Sequence, residues 1–228
     1  MIKYIITCEH AGNKIPGEYS GLFHGSGGLL QTHRGYDIGI FDVFKSFNDE
    51  FNYPSFYSLN SRLLIDLNRS LNNRNLFSSF TRQLDKENRD RIITLYYKPL
   101  RDKVEQKIAS FIKEGYKVYH IAFHSFTPVL NEQVRNADIG FLYDPKSKYE
   151  KTFCLEWKNE LLKIDSILKI RFNYPYLGTA DGFTTYLRRK FDGKSYAGIE
   201  LEINQKLLSE KGAFVTHLLI NSFKNLNR

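Results

Sequence analysis

Short apolar runs recur along this chain, and the stretches between them carry helical spacing. That alternation, more than anything else in the sequence, limits what the chain can fold into. The runs cover residues 2–7, 55–59, 62–67, 117–123, 138–143 and 196–203. Between them, residues 35–51 place Ile40, Phe44, Phe47 and Phe51 on one helical face. Residues 84–112 set Ile93, Tyr96, Leu100, Val104, Ile108 and Phe111 three or four apart, with Pro99 expected to kink or split that helix. Residues 150–164 and 214–223 have the same periodicity. Strands alternating with helices predict an α/β domain of three layers, a central, largely parallel mixed sheet flanked by helices.

Composition narrows the class further. The 228 residues are 42% hydrophobic and 25% charged, which suits an ordinary globular chain. No repeat, low-complexity tract or linker divides them, so residues 1–228 read as a single domain. Cys8 and Cys154 lie too far apart in sequence to suggest a framework, and they predict two free thiols in a reducing compartment. No run reaches the ~20 apolar residues of a membrane span, and the start lacks a secretory apolar region, so the cytoplasm is the expected location. The net charge is +8, but acids interrupt the bases, as in LDKENRDR, and no block of five like charges occurs. A nucleic-acid or membrane partner is therefore not expected, and a small anionic substrate is.

In parallel sheets, ligands collect where strands end. Here the run 2–7 ends in Cys8-Glu9-His10, 62–67 in Asn68-Arg69, and 117–123 in His124-Ser125, while 196–203 carries Glu200 and Glu202. Two histidines plus a carboxylate are a usual set for catalytic zinc. A further Glu is then available as general base, and an Arg for an oxyanion or a substrate carboxylate.

The motifs themselves, CEHAGNKIP from Cys8, HRGYDIG from His33, SRLLIDLNR from Ser61, HSFTP from His124, NYPY from Asn173 and EINQ from Glu202, resemble in order and rough spacing those of the N-formylglutamate amidohydrolase family. The resemblance spans most of the chain. It implies the fold and site layout of zinc carboxypeptidases and aspartoacylase. It further implies metal-dependent hydrolysis of a small N-acyl amino acid, N-formyl-L-glutamate first, with one Zn2+ per chain. Other divalent metals suit the same ligands. By that resemblance His10 and His124 are metal ligands. Zinc carboxypeptidases place a Glu three residues after the first His, where this chain has Asn13, a poor zinc ligand. Asp37 is the third ligand on this reading, with His33 and Glu9 as alternatives. Glu202 is the base, with Glu200 on the same strand face as the alternative. Asn68 and Arg69 hold a substrate carboxylate, and Arg62 polarises the scissile carbonyl.

Each of these residues also has a purely structural reading. Asp37 suits a helix cap or an ion pair with Arg34, and Asp66 suits a structural role orienting a neighbour. His24, His120 and His217 match no motif and are assigned to surface or packing, as is Cys8. Arg188 and Arg189 suit either an anionic substrate or solvent. Three rival functions compete with the amidohydrolase: a zinc carboxypeptidase of short peptides, a non-catalytic binding module on the same fold, and a nucleic-acid-binding protein whose affinity falls steeply with salt.

Overall fold

A computed structural model describes residues 1–226. Its strands and helices, in chain order, are β1 (Ile2–Cys8), α1 (Gly27–Leu30), α2 (Ile40–Phe51), β2 (Ser55–Tyr57), α3 (Lys86–Ile92), α4 (Lys98–Lys113), β3 (Lys117–Phe126), β4 (Val129–Leu130), β5 (Gln133–Val134), β6 (Ile139–Leu142), α5 (Lys148–Ile164), β7 (Ile170–Phe172), α6 (Phe183–Lys190), β8 (Tyr196–Asn204) and α7 (Gln205–Leu226). Six strands form one sheet in the order β2-β1-β3-β8-β6-β7. All neighbours are parallel except β6 and β8, which run antiparallel. The expected largely parallel mixed sheet is therefore what the chain forms.

The pleat sorts the side chains. On β1, β3 and β8 one set of alternate residues, including Ile6, Ile121, Phe123, Ile199 and Leu201, packs with α2, α5 and α7 into one core. The other set, including Ile5, Val118 and Tyr196, meets α4 and α6 in a second core. Strand residues two apart share a face. The α4/α6 face therefore also receives Thr7 from β1, His120 and His124 from β3, and Glu200 and Glu202 from β8. The parallel register sets His124 directly beside Glu202. All of these polar side chains are buried.

Several expectations need correction. Residues 62–67 are not a strand but a buried series of turns. Their apolar run reads like a core strand, yet their backbone is satisfied piecemeal by side chains instead of a ladder. Ser78 Oγ, Thr81 Oγ1 and Arg101 Nη1 donate to the carbonyls of Leu63, Leu64 and Leu67, and Asp66 N donates to Leu76 O. The expected helix 35–51 starts only at Ile40, because Gly39 takes a left-handed φ of 80° and residues 35–39 turn instead. Nor does Pro99 break the long helix at its own position. A π-turn, Ile93–Tyr97, precedes α4, and Pro99 lies in the first turn of α4. Proline's missing N–H and bulky ring disturb the carbonyl four residues earlier, so the widening falls upstream. The last helix begins well before residue 214, and α7 contains a break at Lys211 (φ −142°).

One glycine sets how the sheet meets the loop after β7. Gly140 of β6 lies beside Glu202 in register, and a Cβ there would stand 2.1 Å from Tyr174 O and 3.3 Å from Glu202 Cβ. The bare backbone lets the loop 173–178 press against the sheet. Asn173, at φ 49°, secures that loop by accepting from Tyr143 N and Gly178 N. Gly140→Ala is expected to cost about 1–3 kcal/mol through overpacking. Thermal unfolding should register this as a lower Tm, by roughly 2–4 °C per kcal/mol for a chain this size. An unchanged Tm would show that the loop is not held there.

Candidate functional site

The site forms where the ends of β1, β3 and β8 meet the turns 35–39 and 61–69. His10 follows β1 directly. Asp37 is drawn to it because Asp37 N donates to His10 O at 3.0 Å, and Ser125 Oγ fixes the same turn through Ile38 O at 2.9 Å. Both histidines turn Nδ1 toward one oxygen, Asp37 Oδ2, at 3.5 Å for His10 and 2.9 Å for His124. Ser125 N reaches that oxygen too, at 3.3 Å. One ligand atom from each of His10, Asp37 and His124 falls within 4.8 Å of the others, and all three residues are buried.

The far sides of the two rings face carboxylates. His10 Nε2 is 2.8 Å from Asp66 Oδ1, which also accepts from Asn68 N. His124 Nε2 is 3.2 Å from Glu9 Oε2 as an ion pair without hydrogen-bond geometry. Arg62 spans Asp66 Oδ2 (2.7 Å from Nη2) and Asp37 Oδ1 (3.3 Å from Nη1). Asp66 thus orients a neighbour, as its sequence context allowed.

Above this cluster lies a cleft with about 140 Å³ of free volume. Asn68, Arg69, Tyr176, Asp181, Glu200 and Glu202 line it with the residues above. Asn68 Oδ1 is committed to Phe183 N at 2.6 Å, at the start of α6. Arg69 Nη1 donates to Asp181 O at 2.6 Å. Glu200 accepts from Thr184 Oγ1 at 2.7 Å, whereas Glu202 Oε2 is buried without a partner. The two carboxylates therefore differ, and Glu202 is the one left free to act on something in the cleft. Tyr176 and Asp181 carried no assigned role in the sequence. The NYPY motif around Tyr176 was the available signal for the loop that brings them in.

Other sequence candidates fall elsewhere. Asn13 donates to Leu30 O and Gln31 Oε1. His33 is not among the converging ligand atoms. Arg188 lies outside the cleft and is mostly buried. It is locked to Glu150, Gly178 O and Gly198 O. His24 and His217 are exposed, Cys8 is packed in the core, and His120 is buried and bonded to Thr7 and Tyr196.

The donor set fits a divalent cation. On the side where His10, Asp37 and His124 converge, His10 Nδ1 and Glu202 Oε2 are buried polar atoms without hydrogen-bond partners. Buried carboxylates, Glu9, Asp37, Asp66 and Glu202, outnumber the permanent cation Arg62 that pairs with them, and because uncompensated buried charge is costly the difference is met by protons. The proton balance reflects this. Burial drives Glu202 up to about 8, with Asp37 and Glu200 adding to it and His124 opposing. For the imidazoles burial works downward, but Asp66 and Asp37 raise His10, and Asp37 and Glu9 raise His124 well above the usual range. Burial likewise opposes ionisation of Glu9, yet His124 outweighs it and holds the carboxyl at about 2. Asp37 and Asp66 are likewise held low against burial, Asp37 by the two imidazoles, Asp66 by Arg62 and His10.

Without a cation, these shifts set opposite stability slopes. Glu202, raised from 4.5 to about 8, loses stability as pH rises through that window, and the raised imidazoles lose theirs as pH climbs above 6.5. The depressed carboxylates lose stability only as pH falls below their ordinary values. In chelator, Tm should therefore peak in mild acid and fall toward pH 8, and Glu202→Gln should flatten the alkaline limb. A Tm that climbs steadily from pH 5 to 8 would contradict this charge arrangement.

Comparison with known proteins places the chain. The family model for N-formylglutamate amidohydrolase matches residues 2–209. Among solved structures, the gene product Atu2144 from Agrobacterium tumefaciens is similar, with a TM-score of 0.79 and 26% identity over 99% of this chain and 92% of that one. The N-formylglutamate amidohydrolase from Ralstonia eutropha JMP134 superposes with a TM-score of 0.69 at 15% identity, covering 95% of this chain and 91% of that chain, a likeness of fold. No curated protein matches the sequence. The matched span, residues 2–209, takes in all six strands of the main sheet and all the residues that line the cleft, and this chain belongs to the N-formylglutamate amidohydrolase family.

Proposed function

We propose that this protein is a metal-dependent amidohydrolase that cleaves a small, anionic N-acyl amino acid, with N-formyl-L-glutamate, giving formate and L-glutamate, as the first substrate to test. The observation that carries the reading is the convergence of His10 Nδ1, His124 Nδ1 and Asp37 Oδ2 beside an unpartnered Glu202 at the floor of a small cleft. Family membership supports the reaction class.

His10, Asp37 and His124 would hold the cation, which supplies Lewis acidity to the attacking water and the scissile carbonyl. Glu202 accepts the proton of that water. Its raised affinity for protons strengthens it as that acceptor, and from the same position it passes the proton on to the departing amine. Arg69 lines the cleft with one nitrogen anchored on Asp181 O, and its remaining N–H groups are the donors for a substrate carboxylate. Asn68 keeps the α6 N-terminus against the same wall through Phe183 N. Arg62 is tied to Asp37 and Asp66 on one edge, and its partly exposed guanidinium faces the cleft as the electrostatic partner for a developing oxyanion. The narrow cleft restricts the substrate to a small molecule.

Formate release from N-formyl-L-glutamate, assayed with zinc present, tests this reading. The wild-type chain should turn the substrate over, and Glu202→Gln should lose about 10²–10⁴ in kcat, the usual loss for a general base. Full activity in Glu202→Gln would remove the base. No hydrolysis by wild type of any N-acyl amino acid, with zinc bound, would remove the proposal.

A further inference from the structure

Two arginines line the cleft, and they are held in different ways. Arg62 is paired with Asp37 and Asp66, whereas Arg69 forms no ion pair among the described residues. The backbone of Arg69 is fixed from behind, where its carbonyl accepts from Tyr97 OH at 2.7 Å and from Arg101 Nη1 at 3.4 Å. Its guanidinium is fixed from the front, where Nη1 donates to Asp181 O at 2.6 Å. That acceptor is a main-chain carbonyl, although Asp181 carries a carboxylate of its own.

The carboxylate is spent elsewhere. Asp181 Oδ2 accepts from Ser70 N at 3.1 Å and from Asn73 Nδ2 at 2.5 Å. The Asn73 amide is held in the orientation this needs, because its Oδ1 accepts from Asn75 N at 2.8 Å. Close by, Asn68 Oδ1 accepts from Phe183 N at 2.6 Å, and a Cβ on Gly182 would stand 3.1 Å from that oxygen and 3.0 Å from Glu200 Oε1. Residues 68–73 and 181–183 are thus joined by bonds that flank the Arg69 contact. The choice of acceptor matters electrostatically. A guanidinium paired with a carboxylate has its charge compensated and its fork occupied. One held by a single carbonyl keeps its charge and its remaining N–H groups for an anion.

We propose that Asp181 is a positioning residue for substrate binding: its carboxylate latches residues 181–183 to Ser70 and Asn73, so that its main-chain carbonyl holds the Arg69 guanidinium at the cleft without neutralising it. A group fixed in advance spares the ordering cost that binding would otherwise carry. The inference rests on the reading above that Arg69 holds a substrate carboxylate.

The test is a double-mutant cycle. Its readout is the affinity of the chain, incubated with zinc, for L-glutamate, the amino acid released in the proposed reaction, measured by calorimetry. Arg69→Ala should weaken binding on the order of 10- to 100-fold, the usual loss for hydrogen bonds to a charged group. Asp181→Ala should weaken it about tenfold. Asp181→Asn keeps an oxygen to accept from Ser70 N and Asn73 Nδ2, and should bind like wild type. In a chain that already carries Arg69→Ala, Asp181→Ala should cost nothing further. Losses that multiply instead, an Asp181→Asn chain as weak as Asp181→Ala, or wild-type affinity in a folded Asp181→Ala chain would each overturn the inference while Arg69 keeps its role. Should Asp181→Ala fail to fold, Asn73→Ala removes one bond of the latch and takes its place in the cycle. No loss there, or a loss independent of Arg69, again overturns the inference. Wild-type affinity in Arg69→Ala, or a wild-type chain that binds no L-glutamate, overturns the inference together with the Arg69 reading.

Discussion

A carboxylate buried between two imidazoles is the contact on which this site depends. Asp37 Oδ2 draws in His10 Nδ1 from the end of β1 and His124 Nδ1 and Ser125 N from the end of β3. Isolated buried charge is expensive, and the fold offsets it by layering. Each ring is backed by a second carboxylate, and Arg62 crosses between Asp37 and Asp66. The protons that balance these carboxylates, on unpartnered Glu202 and on the imidazoles, are what a divalent cation would replace.

The scaffold supplies the geometry with few parts. The two-residue period of a strand places Thr7, His120, His124, Glu200 and Glu202 on one face of three adjacent strands, while the alternate residues fill an aromatic core against α2, α5 and α7. In that core Trp157 Nε1 bonds Ser222 Oγ and ties α5 to α7. The polar face is thus carried on three interior strands of the sheet, which suits a site needing fixed distances. Loops add the adaptable part. The turn 35–39 brings Asp37, the turn 61–69 brings Arg62, Asp66 and Arg69, and the loop 173–181 closes the cleft with Tyr176 and Asp181.

Much of this was legible in the sequence, for identifiable reasons. Long apolar runs ending in His or Glu marked β1, β3 and β8, and the parallel-sheet rule placed His10, His124 and Glu202 together. Residues 62–67 misled because a buried turn and a core strand share the same apolar composition. Only the long-range bonds from Ser78, Thr81 and Arg101 tell them apart, and those partners lie outside any local window. Strand β7, three residues long, offered too short a pattern to stand out. Glu9 adjoins His10 in sequence, which makes it an alternative metal ligand there. In the fold its Oε2 lies at the Nε2 side of His124, away from the Nδ1 atom that faces Asp37, and the sequence alone does not show which ring edge it meets.

The central claim is that His10, Asp37 and His124 form one cation site. Elemental analysis of metal per chain, on wild type beside His10→Ala, Asp37→Ala and His124→Ala, tests it most directly. The account predicts about one divalent ion per wild-type chain and marked loss in each variant, because three protein ligands are the usual minimum for such a site. A wild-type chain that holds no metal after incubation with zinc, or full retention in either histidine variant, would contradict it.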